Sequence, residues 1–417
     1  MDAENRVRAT VDISVASSPS NLHEALKLLN EIAEDVKRLG TDSDDIRKDA
    51  IFKCRQLFLA LSTPREIMAD HCWGHIGAMM AVGFGVDSGL WILMAQNGDK
   101  PQRVADLASR LQIEPNLLSR LMRHLSAMGL LNEVGEDEYQ PTNYTKALSL
   151  PQIGNGYLGL TACTSAGCLK FHEFSRKRGW TNPTNPEDTS LMNAYGTDKD
   201  LFTWVNELGY GKHLNDYLSG YNLGRRWWIH PDVYPVKERL INGADPSLDS
   251  PFLVDIGGNV GHDLERFRAA FPDVPGKLIL QDLPMMIGQI KDLHSSIVRM
   301  EYDFHDEQPV KGARAYYIHS TLHNWCDDVC ETLLKRVKEA MKPGYSRLLI
   351  NEFVVPETGA HWETTGLDMM MLGLFSSEQR TRAAWFDLIE RRVGLKIVHI
   401  WSAGAGVESV IECELTD

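Results

Sequence analysis

The chain has 417 residues, 43% hydrophobic and 24% charged, with 43 Lys and Arg against 57 Asp and Glu, for a formal charge of −14. That length allows two or three domains, and the mix is that of a folded globular protein. The acidic balance works against nucleic acid or an anionic membrane as partner, because both reward an excess of Lys and Arg, and it favours a small neutral or cationic one. Seven scattered cysteines, an odd number, argue for a reducing compartment; residues 1–18 show no basic stretch followed by an apolar one, so a cytoplasmic location is expected. Cys326 and Cys330 lie four apart, on one helical face, with no second Cys/His pair, so no metal site is expected.

In chain order, residues 1–60 read as a helical extension, with apolar side chains at Leu22, Ala25, Leu26, Leu28, Leu29, Ile32, Val36 and Leu39 and again over 51–61. Residues 77–96 are apolar for about the length of a membrane span, but Asp87 and Ser88 interrupt them, and a single helix buried on all sides is expected. Within 61–150, a helix from Val104, a turn at Glu114-Pro115, a second helix over 117–131 and a polar hairpin over 132–142 have the order of a winged helix. Arg120, Arg123 and His124 on the second helix invite a DNA-binding reading; the net charge favours dimerisation instead. Residues 151–245 form a helical bridge crowded with aromatic side chains, among them Phe174, Trp180, Trp204, Trp228 and Tyr234, expected to divide between core and the wall of a substrate pocket.

From residue 246 to 417 the texture changes. Short β-rich runs at 252–256, 277–281, 315–318, 347–351, 396–401 and 409–415 alternate with helical stretches, which predicts an α/β domain with a doubly wound, Rossmann-like parallel sheet, the last two runs closing it as an antiparallel hairpin. The first run ends in Val254-Asp255-Ile256-Gly257-Gly258-Asn259-Val260-Gly261, a turn that exposes bare backbone to a ligand and differs from the Gly-x-Gly-x-x-Gly of dinucleotide binders. Asn259 sits where glycine is common, and Asn tolerates the left-handed backbone best among the other residues. The second run ends at Asp282-Leu283-Pro284, a carboxylate placed for a ribose diol. A third edge, Glu301-Tyr302-Asp303-Phe304, offers a carboxylate for an adenine amino group beside an aromatic ring. Each carboxylate alone has a plain alternative as a turn residue, but the three edges in order suit an adenosine held without phosphates, as in S-adenosylmethionine.

These motifs, together with YYIHSTLHNWCDD, AMKPGYSRLLINEFVVP and QRT before Trp385, resemble the fungal secondary-metabolite branch of the plant-type S-adenosylmethionine-dependent O-methyltransferases over roughly residues 60–415. The resemblance implies a class I methyltransferase sheet domain with an N-terminal helical, winged-helix domain that forms a homodimer. It implies S-adenosylmethionine or S-adenosylhomocysteine held by Gly257, Gly258, Asp282, Leu283, Asp303 and Phe304, with His319 at a position that is usually Arg or Lys. It also implies His323 as general base toward a phenolic or enolic hydroxyl of an aromatic or polyketide-derived substrate, with Glu352 orienting it.

The sequence departs from that pattern at three places. Asn324 replaces Asp, His319 replaces the cation, and Gln379 replaces a Glu that flanks the base, with Glu378 one place earlier. Either Glu378 substitutes through a local shift or the base lacks one carboxylate. The second outcome fits an alternative activity, a methyltransferase-fold pericyclase or dehydratase that binds S-adenosylmethionine without transferring its methyl and cyclises a polyketide–peptide hybrid.

Overall fold

The computed structural model describes residues 11–40, 44–402, 404 and 406–416. They form two compact units, divided between Leu158 and Gly159.

In the first unit, helices Leu22–Lys37 and Asp44–Leu61 pack through Ala25 and Leu28, whereas Leu22, Leu26, Leu29 and Val36 of the stripe read from the sequence are exposed. Asn21 caps the first by accepting the Glu24 N–H, and Lys53 of the second reaches Asp35 of the first at 2.6 Å. Residues 77–96 do not form the single buried helix expected of them. Helix Ile76–Asp87 ends at Ser88, Gly89 turns the chain at φ +76°, and helix Leu90–Asn97 leaves at 72°. Met80 and Ile92 are exposed. Asp87 and Ser88 therefore mark a corner, and no single helix among the described residues is long and apolar enough to cross a membrane.

Helices Val104–Leu111 and Pro115–Ala127 follow, with Pro115 in the first turn and Glu114 accepting the N–H groups of Asn116 and Leu117. A small sheet of β1 (Gln102–Arg103), β2 (Asn132–Gly135) and β3 (Glu138–Gln140) has the order β1-β3-β2. Two basic side chains of the second helix are already engaged: Arg123 donates to Ser119 at 2.9 Å, and His124 Nε2 lies 3.0 Å from the Gly74 carbonyl.

The second unit holds a seven-stranded sheet: β4 (Pro251–Ile256), β5 (Lys277–Asp282), β6 (Ile297–Glu301), β7 (Ala315–His319), β8 (Arg347–Glu352), β9 (Leu395–Ser402) and β10 (Ser409–Leu415), in the order β6-β5-β4-β7-β8-β10-β9. The first five are parallel, and β10 runs antiparallel to both β8 and β9, closing the sheet with the expected hairpin. β4, β5, β7 and β8 are almost wholly buried, as strands covered on both faces must be. On one face Val254, Ile256, Tyr316, Ile318 and Ile350 meet Leu333, Leu334 and Val337 of helix Asp327–Ala340. On the other, Leu253, Leu280, Tyr317 and Leu349 meet Leu264 and Phe267 of helix His262–Ala270.

The bridge aromatics divide. Trp228 stacks on Tyr317 with ring centres 4.6 Å apart and belongs with Tyr234 to the core, whereas Trp180 is exposed. β6 escaped the periodicity reading because it is an edge strand whose Val298 and Arg299 are exposed. Cys326 is the N-cap of the helix that carries Cys330 and not a residue within it.

Candidate active site

Strand order reverses beside β4, with β5 on one side and the later β7 on the other, and in such sheets ligands bind at the carboxyl ends next to that point. The turn leaving β4 is made of backbone. Gly257, Asn259 and Gly261 have φ of +74°, +54° and +89°, so Asn259 does adopt the left-handed conformation. Gly258 is needed for space: a Cβ there would lie 2.4 Å from Asp255 Oδ2 and 2.5 Å from Leu280 Cδ1. At the end of β5, Asp282 accepts the N–H groups of Asn259 and Leu283, both at 2.8 Å. Burial pushes its carboxyl up, and those two donors pull it back. Leu283 is exposed at the start of the short helix Pro284–Ile287. After β6, Asp303 accepts the His305 N–H at 2.9 Å as a turn carboxylate, and Phe304 meets Trp325 edge-on at 5.5 Å.

The sequence reading did not name Asp255 as a site residue. It is the penultimate residue of β4 and has no exposure, and neither side-chain oxygen has a hydrogen-bond partner among the described residues. Burial, reinforced by Asp263, pushes its carboxyl well above the usual range. An unpartnered carboxyl under a turn stripped of Cβ atoms, beside a second carboxylate at the next strand end, fits a ligand that carries a positive charge and a diol, as S-adenosylmethionine does. The signal was a lone acid in an otherwise apolar strand.

His319, at the end of β7, is held differently from an exposed cation. Its Nδ1 lies 2.6 Å from Asp263 Oδ2 and its Nε2 3.1 Å from Glu408 Oε2. Both ring nitrogens face carboxylate oxygens, so both donate and the ring is an imidazolium. Burial opposes that charge, but Tyr221, Glu408 and Asp263 reverse the balance and raise the ring well above its ordinary value. Burial likewise works against ionised Glu408, yet His319 and the hydroxyls of Ser320 and Tyr221, which reach Glu408 Oε1 at 2.8 and 2.9 Å, hold it at about 2. The positive charge missing from the sequence pattern is thus restored by a clamp whose members are scattered from residue 221 to residue 408.

His323 lies in the turn Leu322–Asn324 after β7. Glu352, at the end of β8 and without exposure, organises that turn: its Oε1 accepts the N–H groups of Thr321, Leu322 and His323 at 2.9, 2.9 and 3.3 Å, and its Oε2 lies 3.1 Å from His323 Nδ1. Buried Arg380 clasps the same turn, donating to the carbonyls of Leu322 and Trp325 and to Asp327. The Ser377 hydroxyl donates to the His323 carbonyl at 2.6 Å. The Gln379 N–H donates to Asp368, which directs the Gln379 amide to 2.9 Å from His323 Nδ1. This decides between the two readings of the departure: the ring meets Gln379, while Glu378 is exposed, with its carboxyl raised by partial desolvation, and faces Arg380, Asp327 and Asp368. The structure therefore gathers His323, Glu352 and Gln379 into one cluster, beside the edge formed by Gly257, Gly258, Asp282 and Leu283.

Residues 237–394 match the O-methyltransferase domain. An O-methyltransferase of Annulohypoxylon moriforme, mfmE, is 33% identical over 401 residues, covering 96% of either chain. The chain belongs to the O-methyltransferase family. Among solved structures, this O-methyltransferase-family enzyme is similar to one described as a pericyclic reaction enzyme, with a TM-score of 0.83, 25% identity and coverage of 95% of this chain and 100% of that one. It is similar also to LepI in complex with S-adenosylmethionine, with a TM-score of 0.82, 26% identity and coverage of 94% and 98%.

Proposed function

We propose that this enzyme methylates a phenolic or enolic hydroxyl of an aromatic or polyketide-derived metabolite, using S-adenosylmethionine, with His323 taking the hydroxyl proton. The observation that carries this reading is the buried His323 ring, whose Nδ1 faces Glu352 and Gln379 and whose Nε2 has no hydrogen-bond partner among the described residues. When bound, the cofactor supplies an electrophilic sulfonium methyl. Asp255 would face its positive charge, Asp282 its ribose, and Asp303 and Phe304 its adenine, over the bare backbone of Gly257 and Gly258. A phenol titrates near pH 10 and an imidazole near 6.5, so complete proton transfer beforehand would be uphill by about 5 kcal/mol. His323 therefore takes the proton as the oxygen attacks, and Glu352 stabilises the imidazolium that forms. Helix Trp362–Phe375 offers an apolar wall, with Met370 against Cys168 at 3.6 Å.

The test is incubation with methyl-labelled S-adenosylmethionine and phenolic acceptors. Label in the product and one S-adenosylhomocysteine per turnover support the reading; product without label removes it. A second reading, the pericyclase or dehydratase, is favoured by the neutral Gln379 at the base and by the likeness to a pericyclic reaction enzyme. It expects turnover of a polyketide–peptide hybrid with no cofactor consumed.

Three further readings belong to this proposal. The N-terminal winged-helix domain forms a homodimer, supported by the exposed Trp73, Met80 and Ile92, and light scattering tests it. The free state of all seven cysteines supports the cytoplasm. The charge of −14 supports a small-molecule partner over nucleic acid or membrane.

A further inference from the structure

The environment of His323 Nδ1 contains a conflict that the general-base role has to resolve. To take a proton at Nε2, the ring must carry its hydrogen on Nδ1, and Nδ1 must then donate. Two groups face Nδ1. Glu352 Oε2 is 3.1 Å away, yet it lies off the bonding direction and makes no aligned hydrogen bond with any described residue. The Gln379 amide is 2.9 Å away and aligned, with its NH2 turned toward the ring nitrogen. An NH2 group only donates, so in this arrangement Nδ1 is the acceptor and the hydrogen sits on Nε2, where it faces outward as a donor. A half-turn of the amide presents its oxygen instead. Nδ1 then carries the hydrogen and donates it to Gln379 Oε1, with Glu352 Oε2 nearby, and Nε2 becomes the base.

We propose that Gln379 is a positioning residue that selects the ring tautomer of His323, holding the resting enzyme in the Nε2–H form and admitting the base-competent form only when its amide turns. The proposal rests on the methyl-transfer reading for its consequence, but not for its geometry. In that reaction the hydroxyl proton ends on Nε2, the hydrogen on Nδ1 stays in place, the oxygen–methyl bond forms as the sulfur–methyl bond breaks, and the bond electrons leave with sulfur. A carboxylate at position 379 would hold Nδ1–H at all times. Glutamine instead leaves His323 able to act either as a hydrogen-bond donor to a carbonyl or as a base to a hydroxyl, which makes position 379 a determinant of which acceptor reacts.

The experiment is two-bond proton–nitrogen correlation NMR on the full-length protein labelled with ¹⁵N-histidine, the His323 signals being those lost in His323→Asn. Mainly Nε2–H is expected in the native protein. Gln379→Glu and Gln379→Met, the first supplying an acceptor and the second removing the donor, should both move His323 to Nδ1–H. With labelled S-adenosylmethionine, both should raise kcat on a phenolic acceptor about threefold to tenfold. A native spectrum already in the Nδ1–H form, or one left unchanged by Gln379→Met, overturns the proposal whatever the activity. If the spectra shift as expected but no variant labels its product, the tautomer assignment stands and the methyl-transfer reading falls.

Discussion

At the ends of β4 and β5 the site is built of backbone, whereas at the ends of β7 and β8 it is built of buried side-chain charge. The first edge depends on left-handed φ angles at Gly257, Asn259 and Gly261 and on the space above Gly258. The second depends on Glu352 holding three N–H groups beside a ring nitrogen, and on His319 clamped between Asp263 and Glu408. The first should therefore respond to added atoms and report through cofactor affinity. The second should respond to altered charge and report through turnover and pH.

The largest effect is expected from His323→Asn. Its methyl-transfer kcat should fall by roughly 10²–10⁴-fold while S-adenosylhomocysteine affinity by titration calorimetry stays within about threefold. Equal loss of both quantities would erase the distinction between the edges. Glu352→Gln keeps an oxygen for the turn but removes the charge beside the ring, so kcat should drop by about 10²-fold with only a modest fall in melting temperature. A collapse of the fold instead would show that the carboxylate's main task is structural.

Gly258→Ala tests the other edge. Its Cβ would intrude on Asp255 and Leu280, costing about 1–3 kcal/mol in stability and roughly tenfold or more in S-adenosylhomocysteine affinity, with kcat at saturating cofactor nearly unchanged.

The smallest effect concerns pH. The raised pKa of His319 contributes stability that is fully present below its unfolded value of about 6.5 and is lost as pH rises through the folded value. The lowered pKa of Glu408 contributes stability present above its ordinary 4.5 and lost as pH falls toward about 2. The melting temperature should therefore be highest between about pH 4.5 and 6.5, and His319→Gln should flatten the alkaline decline measured by calorimetry. An unaltered alkaline limb would mean that the clamp does not hold an imidazolium.

Much of the first edge was legible in the sequence because its parts are consecutive: a β-rich run, a turn and a helical run leave a local pattern of φ requirement and periodicity. Asp282 was visible for the same reason, closing its strand, and Asp303 through the local run Glu301-Tyr302-Asp303-Phe304 that leaves β6. Asp255 was quoted in the motif yet passed over, because nothing local says that an acid will lose every partner when its strand is covered on both faces. The corner at Gly89 was hidden by an apolar run that serves two helices as well as one, with Asp87 and Ser88 its only mark.

By itself the sequence determined six of the seven strands of the main sheet, the bare turn, the carboxylates beside it and the presence of His323, Glu352 and Gln379. These are matters of local periodicity, backbone preference and residue type. Tertiary structure alone decided which of Glu378 and Gln379 meets the ring, and that His319 carries a charge. Both outcomes depend on groups brought together from positions 56 to 98 residues apart, where burial removes water and leaves each proton to be settled by the nearest oxygen or nitrogen.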